Sequence, residues 1–229
     1  MTGARDVAGA PTGVPGWALV IGRTLAHGVW DTDVVGADRV PADGAVLVAA
    51  NHVSVVDGPL LVGAAPRPLH VLVKQEMFRG PVGRVLRGAG QIPVDREMGR
   101  PALQSGLAVL RRGGAVGIFP EGNRGRGSVE DARAGIAWLA VHAGAPVVPA
   151  AILGTRRTGE SLGHLPGLRR RFVVEFGEPL DLTADGGSRR EAIALGAQRV
   201  RTALAALVAG ASARTGVPLP DDDPRRPTA

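Results

Sequence analysis

The sequence predicts an α/β fold, a single layered domain in which a largely parallel central sheet is flanked by helices. Short apolar runs typical of strands alternate with helical patterns, which favours this class. Several of the runs end in polar residues, as strands do where an open parallel sheet binds a ligand. The chain has 229 residues, a length that suits one domain with a substantial core. The predicted strands are residues 45–50, 69–73, 91–94, 115–119, 147–153 and 171–176.

The first predicted element is a helix from Trp17 to Trp30. It mixes apolar residues with arginine, a composition typical of helices that lie at a membrane interface. We therefore expect an N-terminal amphipathic helical segment at residues 1–34, a main domain at residues 35–214 and a tail at residues 215–229. The tail is rich in Pro, Asp and Arg, and we expect it to be disordered.

A histidine and a carboxylate, His52 and Asp57, follow the strand at residues 45–50. Residues five apart on a helix differ by about 140°, so these two side chains would not share a helical face. The Gly58-Pro59 dipeptide indicates a turn or a helix start, and we expect the pair to meet across that turn. A carboxylate bonded to one ring nitrogen of a histidine fixes the tautomer, and the other nitrogen can then act as a base.

The next three predicted strands also end in polar residues. Lys74, the only lysine of the chain, follows the strand at residues 69–73, and Arg96 closely follows the strand at residues 91–94. The next strand runs into Pro120-Glu121-Gly122-Asn123-Arg124. Guanidinium groups form paired hydrogen bonds to phosphate oxygens, and a lysine offers a compact positive charge. This edge of the sheet therefore suits an anionic ligand.

Two further helices complete the pattern. One has Pro101 in its first turn and closes at Gly113, with leucines along one face. The other opens with a capping-box pair, Ser188 and Glu191, and continues toward Ala213. We expect the second helix to close the core.

Taken in order, four blocks resemble those of the glycerolipid acyltransferase family, whose best known members are the 1-acylglycerol-3-phosphate acyltransferases. The blocks are His-x4-Asp at residues 52–57, Gly-x-Ile-x-x-Asp-Arg at residues 90–96, Phe-Pro-Glu-Gly at residues 119–122 and Val-Pro at residues 148–149. The resemblance covers residues 45 to 180. Each block alone is a weak signal, whereas the four together at family-like spacing are specific.

The resemblance implies an enzyme that moves a fatty acyl group from a thioester, on coenzyme A or acyl carrier protein, to a hydroxyl of lysophosphatidic acid or a related glycerophospholipid. His52 would be the general base and Asp57 its orienting partner. The residues implied in substrate binding are Asn51, Lys74, Arg96, Glu121, Gly122 and Arg124. Asn123 stands where many members carry threonine, so glycerol 3-phosphate or another alcohol is an alternative acceptor.

The composition excludes other kinds of chemistry. The chain has no cysteine, so a thiol nucleophile is excluded. Its five histidines show no paired ligand spacing, and we expect no metal site. Apart from the acyl thioester, which is a substrate, we expect no cofactor.

Two non-catalytic alternatives stay open. The net charge of +6 and the run Leu168-Arg169-Arg170-Arg171 would suit a nucleic-acid-binding protein, but the chain has no tyrosine and only four phenylalanines to stack on bases. A basic lipid-binding protein that has lost catalysis is the second alternative, and the intact His52, Asp57 and Glu121 argue against it. We expect no nucleic-acid partner.

The location follows from the expected substrate. The apolar runs fall short of the roughly 18 residues that a membrane span needs, and the first residues lack the basic cluster of a signal peptide. We expect a cytoplasmic protein that is peripheral on the inner face of the cell membrane, because its lipid substrate lies in the bilayer. The positive net charge favours an anionic membrane surface. The predicted docking stretches are residues 17–30 and 77–87.

Overall fold

The computed structural model describes residues 10–95, 99–120, 135–183 and 188–222. Within these ranges the chain forms one sheet with helices packed on it. The strands are β1 (Asp31–Val35), β2 (Val46–Ala50), β3 (Leu69–Lys74), β4 (Ile92–Val94), β5 (Ala115–Ile118), β6 (Val147–Leu153) and β7 (Arg171–Phe176). The helices are α1 (Gly16–Arg23), which π-helical turns extend over Thr24–Val29, α2 (Asp57–Ala64), α3 (Gly80–Gly88), α4 (Gly99–Arg111), α5 (Gly135–Ala143) and α6 (Arg189–Thr215).

The strand order across the sheet is β1-β7-β6-β2-β5-β3-β4. All neighbours are parallel except β6 and β7, which are antiparallel. The predicted fold class is confirmed, and each predicted strand lies within one residue of its expected bounds. The central strands β2 and β6 are buried along their whole length, because a parallel sheet covered on both faces needs continuous apolar runs. The carboxyl ends of β2 to β6 share one edge of the sheet.

The sheet separates two hydrophobic cores. Successive side chains of β2 point to opposite faces, so Leu47 joins one core while Val46 and Val48 join the other. Helices α4, α5 and α6 cover the Leu47 core, and α2 and the segment after α1 cover the opposite one. Each of these helices therefore packs its apolar side against one face of the sheet.

Strand β1 corrects the expected N-terminal segment. The helix expected from Trp17 to Trp30 ends at Val29, but the helical segment was expected to reach residue 34, whereas the chain enters the sheet at Asp31. The strand reads Asp-Thr-Asp-Val-Val and lies at the edge of the sheet beside β7. Its first three residues are polar, so it lacks the continuous apolar run that identifies the central strands.

Helix α6 forms as the sequence predicts. The Ser188 hydroxyl accepts from the Glu191 N–H, and the Glu191 carboxylate accepts from the Ser188 N–H at 2.8 Å. Within the described ranges α6 is the one helix long and apolar enough to cross a membrane by length and composition, although no apolar run in the sequence suggested a span. It buries Val200, Leu204 and Val208 against the sheet, and so packs as a core helix.

The chain after α6 departs from the expectation of a disordered tail from residue 215. Residues 216–222 lie along the domain, where Val217 and Leu219 pack against the core and Asp222 forms an ion pair. The last part of the predicted tail, residues 223–229, lies outside the described residues.

Candidate active site

His52 and Asp57 meet across the loop between β2 and α2, as the spacing predicts. His52 follows the carboxyl end of β2, and Asp57 is the first residue of α2. The His52 Nδ1 lies 2.8 Å from the Asp57 Oδ2. The Asp57 side chain is fully buried, whereas the His52 side chain keeps 12% of its surface exposed. The carboxylate is thus shielded from water while the imidazole remains accessible.

Among the described residues, four donors hold the Asp57 carboxylate in place. Besides His52, the backbone N–H groups of Val53 and Ser54 donate to Oδ2 at 2.7 and 2.8 Å, and the Thr155 hydroxyl donates to Oδ1 at 2.6 Å. An ionised carboxylate can only accept, so this set of partners suits the charged form. Nδ1 of His52 then carries the hydrogen, and Nε2 is the basic nitrogen.

The imidazole ring is also positioned by stacking. The Phe119 ring lies nearly parallel to it, with ring centroids 4.2 Å apart and an interplanar angle of 20°. Phe119 directly follows β5, the neighbour of β2 in the sheet. The contact restricts rotation of the ring, so the basic nitrogen keeps one direction.

Thr155 is a site residue that the sequence reasoning missed. It follows β6, which pairs with β2 on the side opposite β5. The available signal was its place just beyond the end of a central strand, the same argument that identified Lys74 and Arg96. The residue lies 98 positions from Asp57, and only the strand order brings the two together.

The structure places Asn51 between two strands of the sheet. Its side chain is fully buried, its amide nitrogen donates to the Ile152 carbonyl at 2.9 Å, and its amide oxygen accepts from the Ile152 N–H at 2.7 Å. These bonds join the end of β2 to β6, and the amide has no exposed surface for a ligand. Asn51 therefore braces the strands that carry His52 and Thr155.

An apolar cavity of about 700 Å³ adjoins the histidine. Its walls come from α1, α2, α3, the start of α4 and the start of α5, with strand β3 as its floor. His52, Lys74 and Asp95 are among the polar residues that line it. His52 and Lys74 therefore line the same cavity, and most of the remaining lining is apolar.

Four predicted substrate-binding residues, Arg96, Glu121, Gly122 and Arg124, lie outside the described residues. The chain enters these two stretches from the cavity wall, at Asp95 and at Pro120. Across the described ranges, no group of three or more His, Asp or Glu side chains is placed to hold a metal ion.

Comparison with known proteins identifies the family. The family model described as Acyltransferase matches residues 31–153. A 1-acyl-sn-glycerol-3-phosphate acyltransferase of Bacillus subtilis is 35% identical over 166 residues, which cover 71% of this chain and 79% of the relative. An enzyme of the same name from Borreliella burgdorferi is 31% identical over 129 residues, 53% of this chain and 51% of the relative.

A solved structure shares the fold. The 1-acyl-sn-glycerophosphate acyltransferase of Thermotoga maritima superposes with a TM-score of 0.71 over 86% of this chain and 79% of that chain, at 23% identity. The family model spans more than half of the sequence and includes both members of the His52–Asp57 pair. The chain is therefore a member of the acyltransferase family and an enzyme of that class.

Proposed function

We propose that this enzyme transfers a fatty acyl group from a thioester, on coenzyme A or acyl carrier protein, to the hydroxyl of 1-acyl-sn-glycerol-3-phosphate. The observation that carries the proposal is the His52–Asp57 pair at the wall of a large apolar cavity. The names of the Bacillus subtilis and Borreliella burgdorferi relatives support this acceptor. Glycerol 3-phosphate is the second candidate, because it also offers a phosphate and a hydroxyl.

In the proposed mechanism His52 acts as the general base. Its Nε2 takes the proton of the acceptor hydroxyl while the oxygen attacks the thioester carbonyl, and Asp57 stabilises the imidazolium that forms. The tetrahedral intermediate then collapses, the carbon–sulfur bond breaks, and the departing thiolate takes the proton from His52. A positioned base contributes about 10²- to 10⁴-fold to such a rate, which corresponds to about 3 to 5 kcal/mol of barrier.

The cavity would hold the acyl chain and its edge the phosphate. The walls are mainly apolar, as an acyl chain requires, and Lys74 offers a positive charge at the end of β3. We assign the acceptor phosphate to Lys74 together with Arg96 and Arg124, and we place Glu121 and Gly122 in the same acceptor site on the basis of the sequence resemblance. The donor acyl chain would then lie in an apolar region, and the acceptor phosphate in a basic one.

We further propose that the enzyme works on the cytoplasmic surface of an anionic membrane. Exposed apolar side chains surround the cavity on two helices, Trp17 and Ile21 on α1 and Val82 and Val85 on α3, with 45 to 55% of each exposed. We call these four residues the apolar rim. A bilayer that covers the rim would shield its surface and let acyl chains pass directly into the cavity.

One assay tests the reaction. Thiol release from an acyl thioester is measured without acceptor, with 1-acyl-sn-glycerol-3-phosphate and with glycerol 3-phosphate. We expect release to depend on the lysophospholipid and to be abolished by His52→Ala in a protein that unfolds at an unchanged temperature. Retained transfer by His52→Ala would contradict the base assignment, and release that ignores every acceptor would contradict transfer itself.

A second experiment tests the membrane surface. Phe78 lies in the stretch expected to dock but is only 5% exposed, so the test substitution is made in the apolar rim. We expect Val82→Asp to weaken binding to phosphatidylglycerol vesicles about tenfold, because it removes buried apolar area and adds repulsion. Leu195→Asp on α6 is the matched control, since Leu195 is 50% exposed and lies away from the cavity wall. Equal loss in both variants would contradict docking through the rim.

A further inference from the structure

Thr155 contacts the catalytic carboxylate from a different strand. Its side chain is fully buried, and its hydroxyl donates to Oδ1 of Asp57, whereas His52 is hydrogen-bonded to Oδ2. The two backbone donors of the same carboxylate belong to Val53 and Ser54, in the loop that carries His52. Thr155 is therefore the donor that ties the pair to the rest of the sheet.

Arg156, the residue after Thr155, is hydrogen-bonded to Asp222, the last residue that the structure describes. Arg156 is a buried arginine whose guanidinium donates to the Asp222 carboxylate at 2.8 Å and to the Asp222 carbonyl at 2.8 Å. The Asp221 N–H also donates to the Thr158 hydroxyl at 3.0 Å. We call residues 216–222 the C-terminal strap. A buried guanidinium requires such a partner, so the strap fixes the position of Arg156.

The strap also packs at the turn that presents Thr155. Gly154 has a φ of +87°, a conformation that glycine adopts readily and that ends β6. A Cβ atom built on Gly154 would lie 2.8 Å from the Arg171 carbonyl oxygen and 3.4 Å from a methyl group of Val217, in the strap. The turn is thus enclosed between β7 and the strap, and the backbone has little room to move.

From this geometry we infer that Thr155 is a positioning residue for the His52–Asp57 pair, and that the C-terminal strap sets its position through Arg156. The inference rests on the proposed function for its kinetic tests. Thr155 itself does not line the cavity, so it acts through Asp57 and not on substrate. Loss of its hydrogen bond would let the carboxylate turn away from Nδ1 and would weaken the choice of tautomer at His52.

The first test replaces the hydroxyl while keeping the shape. We expect Thr155→Val to lower kcat about 10- to 100-fold, the cost of a lost hydrogen bond to a charged group, with the acceptor KM unchanged. Thr155→Ser restores the donor, and we expect its kcat within about threefold of the unmodified enzyme. An unchanged kcat in Thr155→Val, or an equal loss in both variants, would overturn the inference.

The second test asks whether the strap acts through Thr155. We expect Asp222→Ala to lower kcat in the unmodified enzyme but not in the Thr155→Val background, because the positioning contact is already absent there. Asp221→Ala is the matched control, since it removes the same charge from the strap while only the backbone of Asp221 contacts Thr158. Effects of Asp222→Ala that multiply with those of Thr155→Val would show that the strap is merely structural.

A spectroscopic readout separates this inference from the proposed reaction. The ring nitrogen shifts of His52 in ¹⁵N-histidine-labelled protein report the tautomer, and His52→Ala assigns the signals. We expect the Nδ1-protonated form in the unmodified protein and a mixture in Thr155→Val. Identical shifts in the two proteins would overturn the positioning role, whether or not the protein transfers an acyl group.

Discussion

The His52–Asp57 pair and the adjoining cavity are built by different physical means. The pair is fixed by directional bonds, with four donors on one buried carboxylate. The cavity is shaped by apolar side chains of several helices, whose contacts have no preferred direction. A directional network has one working geometry, so changes within it should be severe. Apolar side chains in a packed wall can shift to accommodate a substitution. Substitutions there should therefore have smaller effects, on stability or on substrate selectivity.

The largest effect is expected at the buried carboxylate. Asp57→Asn retains the shape but places an amide where four donors converge, and it removes the charge that stabilises the imidazolium. We expect kcat/KM to fall by about 10²- to 10⁴-fold, measured as acceptor-dependent thiol release. Circular dichroism and the unfolding temperature control for folding. A loss below tenfold in a folded protein would mean that the bonds to Asp57 serve structure alone.

The sequence predicts the pair but not the network around it, for a physical reason. His52 and Asp57 lie on one short loop, so their meeting follows from local geometry. Thr155 and Asn51 depend on the pairing of β2 with β6, and strand order is not encoded near either residue. Asn51 also follows a central strand, so a role in substrate binding was expected. In the structure its amide forms hydrogen bonds with the buried backbone N–H and carbonyl of Ile152.

The fold was predictable to a similar extent. Central strands are continuous apolar runs, and their bounds follow from the sequence alone. The edge strand β1 begins with three polar residues, Asp31-Thr32-Asp33, and was missed. The cavity is the space between helices that are distant in sequence, so no single segment contains a signal for its volume.

The next effect concerns the wall where α1 crosses α2. A Cβ atom on Gly63 would lie 2.1 Å from the Gly22 carbonyl oxygen, so Gly63→Ala must push the helices apart. We expect the free energy of unfolding to fall by about 1 to 3 kcal/mol in urea titrations. Gly210→Ala is the control, because a Cβ atom there meets nothing within 4 Å, and a more helix-favouring residue should stabilise α6 by up to about 1 kcal/mol. Stabilisation by Gly63→Ala would exclude a close crossing.

A smaller, selective effect is expected inside the cavity. Ala102 lies on α4, is 4% exposed and lines the cavity, so Ala102→Leu would shorten the space for an acyl chain. We expect kcat/KM to fall about tenfold for long-chain thioesters and to stay unchanged for short ones. Ala108→Leu lies on the same helix away from the cavity wall and should leave the chain-length profile as it was. An equal loss of kcat/KM for all chain lengths would show that the cavity does not hold the acyl chain.

The smallest effect is expected at a polar contact that belongs to neither region. Glu160 accepts from Arg170 at 2.7 and 2.9 Å, in the loop that follows Thr155. The hydrogen bond from Arg170 is the main cause that lowers the pKa of Glu160 below its ordinary value of 4.5. A depressed carboxyl pKa contributes stability that is present above the ordinary value and is lost as the pH falls through the lowered one.

We therefore expect Glu160→Gln to lower the free energy of unfolding by up to about 1 kcal/mol at pH 7, and by less as the pH falls below 4.5 toward the lowered pKa. Glu178→Gln is the control, since Glu178 pairs with Arg39 while 78% of its side chain is exposed, and it should change stability little. A cost that is equal at neutral and acidic pH would assign the contribution of Glu160 to packing and not to charge. Unchanged kcat in Glu160→Gln would further show that the Glu160 carboxylate takes no part in positioning the His52–Asp57 pair.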